Sequence, residues 1–98
     1  MEIMVKFELL AQEQQSEKIK RFFEKILQDT RDFNGCNAAQ VSRLAQEPNK
    51  IILIEYWKSN DHFQKYLSWR KEIGDFNTLG SMLKEEPNIQ IYEVVTTA

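Results

Sequence analysis

Seven consecutive residues limit what this chain can become: Ile51-Ile52-Leu53-Ile54-Glu55-Tyr56-Trp57, one charge among six apolar or aromatic side chains. The run is too short for a buried helix and rich in β-branched and aromatic residues, so it predicts an interior β-strand. Alternate side chains of a strand point to opposite faces. One face carries Ile51, Leu53, Glu55 and Trp57; the other carries Ile52, Ile54 and Tyr56. Both read as buried. In a single sheet with helices on one side, the second face then needs its own cover, and a second copy of the chain is the natural candidate.

The flanking segments supply the rest of such a sheet. Ile3, Val5, Phe7 and Leu9 alternate and predict a strand over residues 3–11. Ser16 is a suitable N-cap, with Glu17 in the first turn facing the positive end of the helix dipole. Ile19, Phe22, Phe23, Ile26, Leu27 and Thr30 then recur at helical spacing. Asn34-Gly35 ends that helix. Residues 36–44 form a weaker strand of small side chains, and 45–50, "AQEPNK", read as a turn. Ser59 caps a second helix over 60–72, with Phe63, Tyr66, Leu67, Arg70 and Ile73 on one stripe and His62, Tyr66 and Trp69 on another. Gly74 closes it. A short helix follows, with Phe76, Leu79, Met82 and Leu83 inward. Pro87-Asn88 stops that helix, and residues 89–95 form the last strand. The order β-α-β-β-α-β, with an extra short helix before the last strand, is an α+β arrangement of the ferredoxin-like, split βαβ type. No linker or repeat interrupts it, so residues 1–98 make one domain.

Composition excludes several roles. The net charge is −2 and basic residues lie among acidic ones, which argues against nucleic acid as a partner. One cysteine, Cys36, rules out an intrachain disulfide, and with a single histidine it leaves no zinc site. No apolar run approaches the roughly 20 residues of a membrane span. The start "MEIMVKFELL" has Glu2 where a leader has a basic residue, which predicts a reduced, cytoplasmic protein. No Ser/His/Asp set, paired-carboxylate signature or phosphate-binding glycine loop is present.

"DTRDFNGC" followed by a strand, then "ILIEYWKSNDHFQKYL", resembles the antibiotic biosynthesis monooxygenase superfamily. The elements that carry the resemblance are Thr30-Arg31, Gly35-Cys36 and Glu55-Tyr56-Trp57, in that order and spacing. "YLSWRKEIGDFNTLGSMLKEEPNIQIY" extends it toward a subgroup of uncharacterised bacterial members. The resemblance implies a homodimer whose sheets pack face to face as a dimeric α/β-barrel, with a pocket between sheet and helices in each subunit. It implies chemistry without a cofactor in the oxygenase branch, which converts phenolic polyketides to quinones. Other branches degrade haem or isomerise a phosphorylated sugar-derived signal. A fold shared by such chemistries does not name a reaction.

On that resemblance, Trp57 matches the tryptophan lining the pocket of relatives, where it would stack on an aromatic substrate; otherwise it closes the end of a strand. Tyr66 stands where many relatives carry histidine. A phenol can donate a hydrogen bond but is a poor base at neutral pH. Arg70 would hold a phenolate, or pair with an acid and cover the core with its stem. Trp57, Tyr66 and Arg70 are the candidate catalytic set. Phe63, Trp69, Arg31 and His62 are the candidate substrate contacts. Two departures count against a complete oxygenase or haem-degrading set: the first strand has no asparagine, and neither has the third before Trp57. The leading expectation is a cofactor-independent monooxygenase acting on a small electron-rich aromatic. The alternative is a non-catalytic dimeric module that binds a small molecule or a partner.

Overall fold

The computed structural model describes residues 1–98. Four strands and three helices follow in the order β1 (Ile3–Leu10), α1 (Ser16–Asp32), β2 (Cys36–Leu44), β3 (Glu47–Trp57), α2 (Asn60–Glu72), α3 (Asp75–Gly80) and β4 (Asn88–Glu93). The sheet is antiparallel throughout, in the order β2-β3-β1-β4. This is the ferredoxin-like architecture, with α3 as the addition before the last strand.

The alternation in β1 and β3 sets the core. Ile3, Val5, Phe7 and Leu9 of β1 and Ile51, Leu53 and Trp57 of β3 are buried against Ile19 and Phe23 of α1 and Phe63 and Tyr66 of α2. Leu79 and Leu83 close the far end, while Phe76 and Met82 pack partly against them. The stripe of α2 is buried at Phe63, Tyr66 and Arg70, but Ile73 lies half exposed past its end.

Burial of both faces of β3 holds for one face within a single chain. Ile52 is exposed and Ile54 and Tyr56 are half-buried. They sit beside Glu8, Lys6 and Met4 of β1, and Met4 in turn pairs with Tyr92 of β4.

β3 also begins four residues earlier than the sequence pattern predicts. Pro48 and Asn49 read as a turn, yet the turn is only Ala45-Gln46. The β2–β3 ladder shifts register between Arg43 and Leu44, so Pro48 falls in an irregular stretch that does not require its missing N–H. Its carbonyl accepts from Ser16 Oγ at 2.9 Å. Ser16 is therefore the first residue of α1 and not its cap; Gln15 takes that position without a side-chain bond. Ser59 does cap α2, its Oγ accepting from the His62 N–H.

Gly35 turns the chain from α1 into β2 at φ +93°. Only glycine adopts that conformation without cost. A Cβ there would also overlap the His62 ring. Gly35→Ala is expected to destabilise the domain by about 1–3 kcal/mol, read as a lowered urea midpoint with unchanged slope. A midpoint within error of the parent would show that the turn relaxes freely.

Candidate functional site

The site begins with an irregularity in the apolar row of β3. Ile51, Leu53 and Trp57 are ordinary core residues, but Glu55 stands among them with no exposure at all. Its Oε1 accepts from the Trp57 indole N–H at 2.9 Å. Its Oε2 has no hydrogen-bond partner. Burial pushes the carboxyl from an ordinary 4.5 up to about 7, against the opposing pull of the Trp57 N–H and the charge of Arg70.

The helix α2 brings Tyr66 and Arg70 to the same region, one turn apart. Arg70 Nε donates to Tyr66 Oη at 2.9 Å, and Nη1 donates to Asp75 Oδ2 at 2.7 Å. Nη2 donates to the Ile26 carbonyl at 2.9 Å and to Thr30 Oγ1 at 3.0 Å. The two hydroxyls, Thr30 Oγ1 and Tyr66 Oη, are 2.8 Å apart and share a hydrogen bond. One guanidinium thus joins α1, α2 and α3. Burial works against its charge, and the contacts to Tyr66 and Asp75 outweigh this, holding its pKa above the ordinary value. Burial, with the Glu55 charge, holds the Tyr66 phenol above its ordinary value. Tyr66 is therefore a hydrogen-bonding hydroxyl at neutral pH, not a base.

These groups edge a cavity between the sheet and the helices. Phe7 and Leu53 form its floor; Phe22, Phe23 and Ile26 of α1 and Leu67 of α2 form its sides; Phe76 and Leu79 of α3 form its outer wall. Glu55, Tyr66, Arg70 and Asp75 are its polar members. The cavity volume is about 40 Å³. The space is smaller than an aromatic ring requires.

Of the seven residues singled out from sequence, Tyr66 and Arg70 line this cavity. Trp57 is wholly buried and stands behind it, in contact through Glu55. Its ring packs with Tyr66 at 4.8 Å and with Phe33 and Phe63 at 6.2 and 6.1 Å, so stacking on a bound molecule is not the role its position offers. Phe63 is core. Trp69 is half-buried, stacked on Phe33 at 5.4 Å, with the Arg70 guanidinium 4.6 Å from its ring. His62 turns away, its Nδ1 2.6 Å from Ser59 Oγ. Arg31 reaches over β2 to the Ala39 carbonyl at 3.1 Å. Cys36 has its thiol pushed up to about 11 by burial and by Glu55, which disfavours the thiolate.

Glu55, Thr30 and Asp75 belong to the site and were not among the sequence candidates. The signal for Glu55 was present: a carboxylate on the same face as Ile51, Leu53 and Trp57. Asp75 had none, because its partner is set by how α3 folds back. No group of three or more His, Cys, Asp or Glu side chains is placed to hold a metal ion, and no helix is long and apolar enough to cross a membrane.

The fold has close structural counterparts. A conserved protein from Methanosarcina mazei superposes with a TM-score of 0.85 at 21% identity, covering 95% of this chain and 92% of that one. SnoaB from Streptomyces nogalater, described as a cofactor-independent oxygenase and solved as a mutant, gives a TM-score of 0.84 at 12% identity over 98% and 95% of the two chains. A protein from Deinococcus radiodurans gives 0.79 at 19% identity over 98% and 95%. At these identities the likeness is one of fold. No curated protein matches the chain in sequence. The family model for antibiotic biosynthesis monooxygenases matches residues 2–70, from β1 through Arg70 of α2. That span includes the β3 carboxylate, its tryptophan partner and the Tyr66–Arg70 pair, and it makes this chain a member of the antibiotic biosynthesis monooxygenase family.

Proposed function

We propose that this protein is a cofactor-independent monooxygenase acting on a small electron-rich hydroxyaromatic, and that it works as a homodimer joined through the open sheet face. The observation that carries the reading is an otherwise apolar cavity whose lining includes Glu55, Tyr66, Arg70 and Asp75. An aromatic body matches the phenylalanine-rich walls once the α3 side chains make room for it, and its oxygen meets the polar groups. Family membership supports the oxygenase class. Met4, Ile52, Ile54, Tyr56 and Tyr92 on the outer sheet face support the second copy.

The reaction needs a substrate anion. Once ionised, a hydroxyaromatic is electron-rich enough to reduce dioxygen directly, and the protein supplies orientation and fixed charge. With 1-naphthol, C4 bonds to one oxygen atom of dioxygen. The other oxygen leaves as water with the two hydrogens lost from O1 and C4, giving 1,4-naphthoquinone. Arg70, four of its five N–H groups already engaged, acts through its charge and by fixing Tyr66, whose hydrogen turns to the substrate oxygen when Thr30 donates to Tyr66 Oη. Trp57 holds Glu55.

The test is oxygen consumption with a panel of one- and two-ring phenols headed by 1-naphthol. Uptake matched by an equal amount of quinone is expected, falling about 100-fold in kcat with Tyr66→Phe. Uptake no greater than the buffer blank across the panel refutes the reading. A non-catalytic binding module is the competing reading. The small water-accessible space and the packed Phe33, Trp57, Phe63, Tyr66 and Trp69 cluster favour it, and it predicts binding without oxygen consumption.

A further inference from the structure

We propose that the unpartnered Oε2 of Glu55 is the ligand-recognising atom of the cavity, taking the hydroxyl hydrogen of an aromatic alcohol first as a hydrogen bond and then as a proton. This rests on the reading that the cavity admits an aromatic body. It adds a base to a site that otherwise has none.

The argument is one of unmet need. Arg70, Tyr66, Thr30 and Asp75 bond to one another and to the Ile26 carbonyl. Each of them already has a protein partner, so none requires a ligand. Glu55 is different. It has no exposure, one oxygen is satisfied by Trp57, and the other has nothing. A buried polar atom left unpaired is costly, so a ligand that pairs it gains what the empty protein lacks. Because Glu55 lines a cavity that is otherwise mostly apolar, the complementary ligand is a flat apolar body with one O–H. A carboxylate accepts hydrogen bonds and cannot donate them. Ethers and hydrocarbons therefore find no partner, and anionic ligands meet a like charge.

The charged and titratable groups near Glu55 are Arg70 and Tyr66 from α2, Asp75 from α3 and Cys36 from β2; α1 turns only Phe22, Phe23 and Ile26 toward the cavity. In the proton step the ligand O–H bond breaks. Its electron pair stays on the ligand oxygen, within the field of Arg70, and the hydrogen bonds to Oε2. During turnover that hydrogen leaves in the water formed from dioxygen.

The experiment measures binding of 1-naphthol and 1-methoxynaphthalene to the wild-type protein and to Glu55→Gln at pH 8, by quenching of tryptophan fluorescence. The wild type is expected to prefer 1-naphthol by at least about tenfold. In Glu55→Gln the Trp57 N–H retains the amide oxygen, so the amide –NH₂ takes the place of Oε2. That group donates to a hydroxyl or an ether alike, and the preference should shrink to within about twofold. Equal binding of the two compounds by the wild type, a preference that survives Glu55→Gln, or no binding of either overturns the proposal. Oxygen uptake separates this proposal from the monooxygenase reading. Uptake with 1-naphthol that is undiminished in Glu55→Gln removes the base and leaves the monooxygenase. The expected preference without uptake keeps the Glu55 site and removes the monooxygenase.

Discussion

Arg70→Ala is expected to cost the domain about 3–5 kcal/mol of stability, the range for breaking a buried ion pair by removing one partner. Arg70 is nearly inaccessible, and its guanidinium makes four donations across three helices, one of them to the Asp75 carboxylate. Without it, Tyr66 Oη and Thr30 Oγ1 each lose a donor in a place water reaches poorly, and the Ile26 carbonyl loses its long-range contact. Asp75 suffers less, because a quarter of its side chain is exposed and water replaces the arginine. A domain of this size has roughly 5–15 kcal/mol in total, so the variant should sit near its unfolding threshold at 37 °C. Arg70→Lys should recover little, since one ammonium cannot reach partners spread across a planar fork. Urea unfolding at pH 7, followed by tryptophan fluorescence, measures both variants. A loss below about 1 kcal/mol for Arg70→Ala would place the network with exposed ion pairs, which contribute little.

The second large effect depends on pH. Glu55 has its carboxyl raised from 4.5 to about 7 in the folded protein. Below pH 4.5 the folded and unfolded chains both hold this proton, and its contribution to stability is fully present. As pH rises past 4.5 the unfolded chain ionises while the folded one does not. Stability then falls until the folded carboxyl itself ionises near 7. The loss over that window is about 3 kcal/mol. Glu55→Gln cannot ionise and should not show it. The difference in unfolding free energy between Glu55→Gln and the wild type should therefore shift by about 3 kcal/mol in favour of the variant between pH 4 and pH 8. The difference between the curves is the informative quantity, because all other carboxylates titrate in both proteins. Parallel curves would mean that Glu55 stays ionised throughout, with water or a shifted side chain reaching Oε2.

Most of the fold could be read from spacing, because the residues that carry it obey one period at a time. Ile3 to Leu9 alternate, Ile19 to Thr30 follow helical spacing, and each pattern has one buried side. Reading failed where tertiary context overruled a local signal. Pro48-Asn49 looks like a turn, and the register shift opposite it is invisible in the sequence. Ser16 looks like a cap, but its hydroxyl is taken up by Pro48 and Arg43. The site was half legible. Tyr66 and Arg70 stood out as polar groups on the buried stripe of α2. Trp57 stood out for its size, which does not say whether a ring faces a cavity or closes the core behind it. Glu55 was overlooked although its face of β3 reads as buried, because a lone acid in an apolar strand does not by itself mark a site. Its unpartnered oxygen shows only once α2 is laid over β3.

β1, the first strand made, occupies an inner position of the sheet, with β3 on one side and β4 on the other. During synthesis it emerges long before either neighbour. At roughly 5–20 residues per second, the stretch from the end of β3 to the end of β4 takes the ribosome on the order of a few seconds. Through that interval the edge of β1 that will pair with β4 has no strand beside it, and an unpaired apolar strand edge invites pairing with other nascent chains. Lys6 and Glu8, on the β1 segment that later pairs with Gln90 and Asn88, lie within this waiting edge. The domain therefore depends on β4, the strand made last, to close an edge of the strand made first.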